Sequence, residues 1–297
     1  MSLTPRFDES SKTTAGLRYF LKAIKWARKY GIRINLDLHA LPGSQNGWNH
    51  SGKLGTIGVL SGPMGYANAQ RSLDIIRVLA EFISQPQYKD VVAMFGIINE
   101  PKGFIVGQDA LVSLYVGLSF QIHSRAAYMY IIYSYLEAYN IVRNAGGGIG
   151  EGKGPFISIH DGFFPRDQWV GVLPNADRVA LDNHPYICFG GQSDSAMSTY
   201  RHVPCTTWGS AVNTSMRAFG LTFAGEFSNA VTDCGLWLNG VDLGTRYEGT
   251  YAKNLPTVGN CTHWTDWTKY SDQMKSDIKN FALSSMDALQ VIHFLPL

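Results

Sequence analysis

Charge is scarce in this chain. Only 16% of its 297 residues are Asp, Glu, Lys or Arg, with 25 Lys and Arg against 23 Asp and Glu. No dense basic stripe runs along any segment, so binding to a phosphate backbone lacks its electrostatic footprint. Nucleic acid is not expected, and the expected partner is neutral. Cysteine is sparse as well: Cys188, Cys205, Cys234 and Cys261 contain no Cys-x-x-Cys pair, a spacing that argues against zinc. The opening MSLTPRFDESSK has no apolar core, so no signal peptide is visible in it. No apolar run is long enough for a bilayer span, because Gln121, His123 and Arg125 interrupt the best candidate, residues 111–135. Membrane association is therefore not expected. Neither internal repeats nor a low-complexity linker appears, and residues 1–297 read as one domain, expected as a monomer.

What the chain does have is apolar and aromatic surface. It is 45% hydrophobic, with 31 Gly, 7 Trp, 15 Tyr and 15 Phe. Such flat faces suit stacking on sugars, and equally suit a large aromatic core. Asn49-His50-Ser51, Asn213-Thr214-Ser215 and Asn260-Cys261-Thr262 match the N-glycosylation pattern and lean towards secretion. Cys234 and Cys261 flank one long, polar, Gly-rich loop, and their spacing alone fits a disulfide and buried free thiols equally.

Residues 15–30 place Leu17, Phe20, Leu21, Ile24 and Ala27 at helical spacing, and Gly31 ends the run as a C-cap. A short apolar run of strand length follows at 32–38. The alternation repeats with an amphipathic helix at 68–84 and a buried strand at 91–98. Three more short, non-alternating runs, at 156–159, 179–181 and 221–224, read as strands. Runs of this kind suit parallel strands covered on both faces, the architecture of a (β/α) barrel. Each run leads into polar groups: His39, then Asn99-Glu100, then His160-Asp161, then Asp182, His184 and Tyr186, then Glu226. In a parallel barrel those strand ends share the face on which such enzymes place their chemistry. Any one of these groups reads as readily as a cap or loop anchor; five together point to a site.

Glu100 and Glu226 are the pair of interest. Two carboxylates facing one cleft are what glycosidic bond cleavage needs, one to protonate the leaving oxygen and one ionised to meet the oxocarbenium-like centre. His39, His160 and His184 raise the alternative of zinc, but no i, i+4 pair or cysteine supports it. Acid/base hydrolysis needs neither metal nor cofactor.

The stretches LDLHALPGSQNGW, NEP, DNHPY, GEFSNAVTDCGLWLNGV and RYEGTY occur in this order. On them the chain resembles the fungal exo-β-1,3-glucanases of glycoside hydrolase family 5, from residue 15 to about residue 290 apart from one gap. The resemblance implies a retaining hydrolase on a TIM (β/α)8 barrel that releases glucose from the non-reducing ends of β-1,3-glucan, with Glu100 as acid/base and Glu226 as nucleophile. It implies that Asn99 binds the sugar 2-hydroxyl, that His39 and His184 line the terminal glucose subsite, and that Tyr186 orients Glu226. Trp48 and Phe189 fall where the family has an aromatic clamp, and the Gly-rich segment after His39 becomes a substrate-binding loop. The resemblance also implies a β-glucan polysaccharide or oligosaccharide as partner, an extracellular or cell-wall location, and pairing of Cys234 with Cys261.

The chain departs from the pattern in places. His50, expected among the substrate-binding residues, stands where the family has Asn, and Phe227 where it has Trp. Cys205 lacks its expected partner and Cys188 is extra. The GGW, RIP and final WSWK segments are absent, so about three of eight strands, the first ones and the last, are missing or unrecognisable, and the barrel is expected to be incomplete. Residues 111–135 form an atypical insertion that, like the closing VIHFLPL, reads as foreign to the family, as translated intron sequence would. The competing readings are a catalytically impaired glucan-binding or truncated product, and a β-glucanase of other linkage preference.

Overall fold

Helix α1 (Thr14–Tyr30) ends at Gly31, whose φ of 71° is the left-handed C-cap conformation that glycine adopts without a steric cost. It buries Ile24 and Ala27, while its exposed Arg28 reaches Asp90 at 2.8 Å. The computed structural model describes residues 14–116, 138–148, 153–172 and 175–289. The chain divides into two compact units, Met1–Phe163 with Leu173–Val179, and Phe164–Val172 with Ala180–Leu297.

In the first unit α1 is followed by β1 (Ile34–Asp37), α2 (Gly65–Ile83), β2 (Val92–Gly96), α3 (Gln108–Val116), α4 (Ala138–Ala145) and β3 (Phe156–His160). The strands are parallel, with Leu36 opposite Phe95 and Phe95 opposite Ile157. Phe95, Ile97, Ile98, Ile157 and Ile159 are all buried, each contributing about 1.5–3 kcal/mol through removal of apolar surface from water. Parallel strands buried on both faces need continuous apolar runs of this kind. Gly96 closes β2 where a Cβ would come within 3.1 Å of Asp37 Oδ1, so the strand ends can approach. The start of the expected insertion, residues 111–116, completes α3 and buries Leu111, Val112 and Leu114. The rest of that insertion and the closing VIHFLPL lie outside the described residues.

In the second unit β4 (Val179–Asn183) runs parallel to β5 (Thr222–Ala224), with α5 (Ser210–Ala218) between them in sequence and α6 (Asp272–Leu289) after them. Helix α6 starts where Ser271 Oγ accepts the Met274 amide at 3.1 Å, an N-cap. It packs Phe281 and Leu289 with Met197, Trp208, Val212 and Val231. Beside this core, Cys234 and Cys261 form a disulfide that packs with Tyr247. The loop between them is organised by Asp233, which is wholly buried and accepts the Arg246 and Tyr247 amides at 2.7 and 3.0 Å and the Asn239 side chain at 2.9 Å.

Among the described residues no helix is long and apolar enough to cross a membrane. Asn49, Asn213 and Asn260 are all exposed.

Candidate active site

The C-terminal end of β1 delivers His39. Its Nδ1 lies 2.7 Å from Asp37 Oδ2, which holds the ring proton on that nitrogen and turns Nε2 towards Asn99, whose amide nitrogen is 3.4 Å away. Asn99 and Glu100 follow β2, and the Asn99 amide donates to Leu38 O at 3.2 Å, continuing the strand register to the point where the chemistry-bearing side chains leave it.

The loop after His39 does more than sequence reading assigned to it. Ser44, Gln45 and Asn46 are buried almost completely. Gln45 Nε2 donates to the carbonyls of both His39 and Asn99 at 2.8 Å, and its Oε1 accepts the Leu41 amide at 3.2 Å. One side chain thus clamps the ends of β1 and β2. Asn46 donates to Glu100 O at 3.1 Å and accepts the Trp48 amide at 2.9 Å. The side-chain amides of this loop are used internally, to hold the backbone under His39, Asn99 and Glu100. The sequence signal was their position, Gln and Asn within a Gly-rich turn directly after a strand.

Glu100 takes φ of 44°, in the left-handed region, and the following Pro101 fixes the chain beyond it. Strain of about 1–3 kcal/mol at such a residue persists only where its surroundings over-determine it, here through the Asn46 clamp. Glu100 is 7% exposed, and its Oε2 lies 2.9 Å from His50 Nε2. Trp48 stacks near His50 at 5.5 Å, meets Phe163 edge-on at 5.5 Å, and lies under the Lys102 ammonium at 4.9 Å. Phe163 and Lys102 are aromatic and cationic neighbours that the sequence did not single out. His160, buried at the end of β3, accepts the Gly162 amide on Nδ1 at 3.0 Å. That bond leaves a neutral ring with its proton on Nε2.

The second unit carries the other carboxylate. Asp182 Oδ1 accepts the Gly225 amide at 2.6 Å, and Asn183 Nδ2 donates to Phe223 O, so two side chains from the end of β4 tie down the end of β5. Gly225 has to be glycine for this approach: a Cβ there would lie 2.4 Å from Asp182 Oδ2. The next residue is Glu226. Its Oε2 accepts a 2.7 Å hydrogen bond from the Tyr186 phenol and lies 3.6 Å from His184 Nδ1, while His184 Nε2 lies 3.5 Å from Asp182 Oδ2. Arg166, which sequence reading passed over, donates to Asn183 Oδ1 at 3.0 Å. Phe189 is 44% exposed and meets Tyr186 edge-on at 5.4 Å. Phe227 packs against the core built on Trp208 and Phe281.

The first unit therefore groups His39, Asn99, Glu100, His50 and Trp48, and the second groups His184, Tyr186, Phe189 and Glu226. Each group holds one glutamate at a strand end with a His or Tyr ring within hydrogen-bond distance of one of its oxygens.

No family model matches the chain. Over 303 aligned positions, 97% of its length, it is 36% identical to a probable glucan 1,3-beta-glucosidase D of Aspergillus flavus, covering 33% of that protein. It is 34% identical over 293 positions to the probable glucan 1,3-beta-glucosidase D of Aspergillus terreus, with 92% of this chain and 31% of that one covered. The chain spans about a third of the length of the curated relatives it matches. Among solved structures, the rutinosidase from Aspergillus niger aligns with 98% of the chain and 64% of its own at a TM-score of 0.52 and 15% identity. The crystal structure of AoRut covers 98% of this chain and 63% of that one at 0.56 and 14%. These likenesses show the fold, a TIM (β/α)8 barrel that is incomplete among the described residues.

Proposed function

We propose that this chain, homologous over nearly its whole length to fungal proteins named probable glucan 1,3-beta-glucosidase D, is a retaining glycosidase acting on β-1,3-glucan and releasing glucose from non-reducing ends. Both compact units form one catalytic domain in this reading. The observation that carries it is the pair of strand-end glutamates, Glu100 held by His50 and Glu226 held by Tyr186.

The two surroundings suit different roles. A general acid works best shielded from water, and Glu100 is 7% exposed with a ring nitrogen to exchange its proton with. A nucleophile must present one oxygen along a fixed line, and the Tyr186 phenol anchors Oε2 of Glu226 so that Oε1 is the attacking atom. Glu226 attacks the anomeric carbon while Glu100 gives its proton to the departing glycosidic oxygen. Glu100 then takes a proton from the water that attacks the same carbon, which frees the Glu226 carboxylate and returns the anomer to its starting configuration. Retention calls for carboxyl groups about 5–5.5 Å apart.

Asn99 is assigned to the sugar 2-hydroxyl, His39 and His184 to the terminal glucose, and Trp48 and Phe189 to stacking on the glucan chain. The His39–Asp37 bond supports this by fixing the ring's tautomer. The disulfide and three exposed glycosylation sequons support an extracellular or cell-wall setting, where such a bond persists.

Glucose release from laminarin tests the reading. Glu226→Gln is expected to lower kcat by about three orders of magnitude or more. Azide added to Glu226→Ala should restore turnover of an activated aryl β-glucoside and yield the α-glucosyl azide. Equal, negligible rates for the parent and Glu226→Gln would reject catalysis, and turnover of β-1,4-glucan alone would reject the linkage.

A further inference from the structure

At the N-terminal ends of β2 and β3, the first unit encloses a cavity of about 260 Å³, lined by Ile83 and Ser84 from the end of α2, Lys89 and Asp90 before β2, Pro155 before β3, and Arg178. It lies at the opposite end of those strands from Asn99, Glu100 and His160, and the proposed reaction makes no use of it.

Two of its lining side chains each carry a buried polar atom without a partner. Arg178 Nε and Ser84 Oγ have no hydrogen-bond partner among the described residues. The contrast with the neighbouring Arg143 is instructive. Arg143 engages all three guanidinium nitrogens, on Asp177 Oδ1 at 3.1 Å and on the carbonyls of Pro155, Asp177 and Arg178 at 2.8, 2.8 and 3.0 Å. Arg178 is held over the Phe156 ring at 4.9 Å and donates from Nη2 to Gly154 O at 2.6 Å, which leaves Nε unanswered. Burial, reinforced by the like charge of Arg143, pushes the Arg178 guanidinium below the ordinary arginine range. An arginine stays charged nonetheless, so an acceptor relieves it better than proton loss does.

The remaining charges narrow the acceptor. Lys89 adds a second cation to the lining. Asp90 adds a carboxylate, but one engaged by Arg28, whose Nη2 and Nε lie 2.8 and 3.4 Å from its two oxygens. That ion pair holds Asp90 below the usual carboxylate range, so it stays ionised and can accept a further hydrogen bond from a ligand's hydroxyl. A lining that combines these donors with an ionised acceptor fits an anion that also carries an O–H group.

We propose that this cavity is a binding site for a small hydroxylated oxyanion, hydrogen phosphate being the simplest, which accepts from Arg178 Nε and Ser84 Oγ beside Lys89 and donates its hydroxyl towards Asp90. Its occupant ties together the end of α2, the starts of β2 and β3, and Arg178. Binding to the folded chain alone raises stability as the ligand saturates.

Inorganic phosphate titrated at constant ionic strength is the probe, read by calorimetry and thermal unfolding of the whole chain. The expected result is saturable binding, accompanied by a rising melting temperature, with sulfate weaker because it carries no hydroxyl proton at neutral pH. Arg178→Lys, which lacks Nε, and Ser84→Ala are each expected to weaken phosphate by about tenfold, the worth of one charge-assisted hydrogen bond. Should Arg178→Lys fail to fold, Ser84→Ala and Lys89→Gln carry the test. Absence of saturable binding, or the same phosphate affinity in every folded variant, would overturn the proposal.

Discussion

The Tyr186 phenol and Glu226 Oε2 are joined by a 2.7 Å hydrogen bond, which engages one of the two carboxylate oxygens. Tyr186→Phe removes it without changing the ring that meets Phe189. A hydrogen bond to a charged group contributes about 1.5–3 kcal/mol, so kcat on an aryl β-glucoside is expected to fall about 10- to 100-fold. KM should stay within a few-fold. A rise in KM with kcat intact would move Tyr186 from orienting the nucleophile to contacting the sugar.

Gly225 precedes Glu226 for a steric reason. Its missing side chain makes room for the Asp182 carboxylate, which takes the Gly225 amide at 2.6 Å. In Gly225→Ala the new methyl is expected to displace Asp182, break one of the two side-chain ties between the ends of β4 and β5, and turn Glu226 with it. Activity is expected to drop by about 100-fold, since small misplacements of a catalytic group have that cost. Urea unfolding should shift by no more than about 2 kcal/mol. A variant as active as the parent would show that Glu226 is positioned by Tyr186 alone.

Much of this was legible in the sequence, and the reasons differ by element. The five strands stand out because parallel strands in a covered sheet are written as short apolar runs, and all five fall within about two residues of the boundaries read for them, although β1 is only partly buried. Helices α5 and α6 went unread. In α6 the apolar positions Met274, Ile278, Phe281, Ala288 and Leu289 do recur at helical spacing behind the Ser271 cap, but the buried Ser285 interrupts the stripe. At the site, chemistry-bearing residues were visible because they follow strands. The supports were not, because Gln45, Asn46, Gly225 and Arg166 act through backbone carbonyls, amides and side chains brought close only by the fold.

The two unpaired cysteines separate cleanly by burial. Cys205 is exposed, whereas Cys188 is 1% exposed and its thiol is pushed up to about 11, chiefly by burial. At pH 7.5 a thiol reagent should titrate Cys205 alone, and Cys188 only after unfolding. The raised value also sets a pH dependence. The buried neutral thiol favours the folded state below its ordinary thiol range near 9, and that contribution is lost as pH rises towards about 11. Cys188→Ala should therefore lose less stability between those values than the parent does. Two equivalents of rapid labelling in the folded protein would contradict the burial.

The disulfide closes a span with a sequence separation of 27. A crosslink of that span stabilises by about 3–4 kcal/mol in the chain-entropy account. Paired Cys234→Ser and Cys261→Ser substitutions are expected to lower the urea midpoint accordingly. They should leave kcat within a few-fold, because Asp233 organises the same loop through hydrogen bonds of its own. Loss of the folded transition altogether would mean that the loop depends on the crosslink more than on Asp233.

His50 Nε2 and Glu100 Oε2 lie 2.9 Å apart, within hydrogen-bond distance, so the ring can relay a proton to or from the carboxyl group. If Glu100 is the acid, His50 matters only for leaving groups that need protonation. His50→Ala is then expected to slow hydrolysis of a β-1,3-linked disaccharide by about tenfold or more while leaving a dinitrophenyl β-glucoside within two- to threefold. Glu100→Gln should show the same pattern more strongly, with formation of the glycosyl-enzyme preserved for the activated substrate. His50→Asn keeps a donor and should recover part of the disaccharide rate. Equal losses on both substrates would place His50 in sugar binding instead, and would leave Glu100 without a partner for its proton.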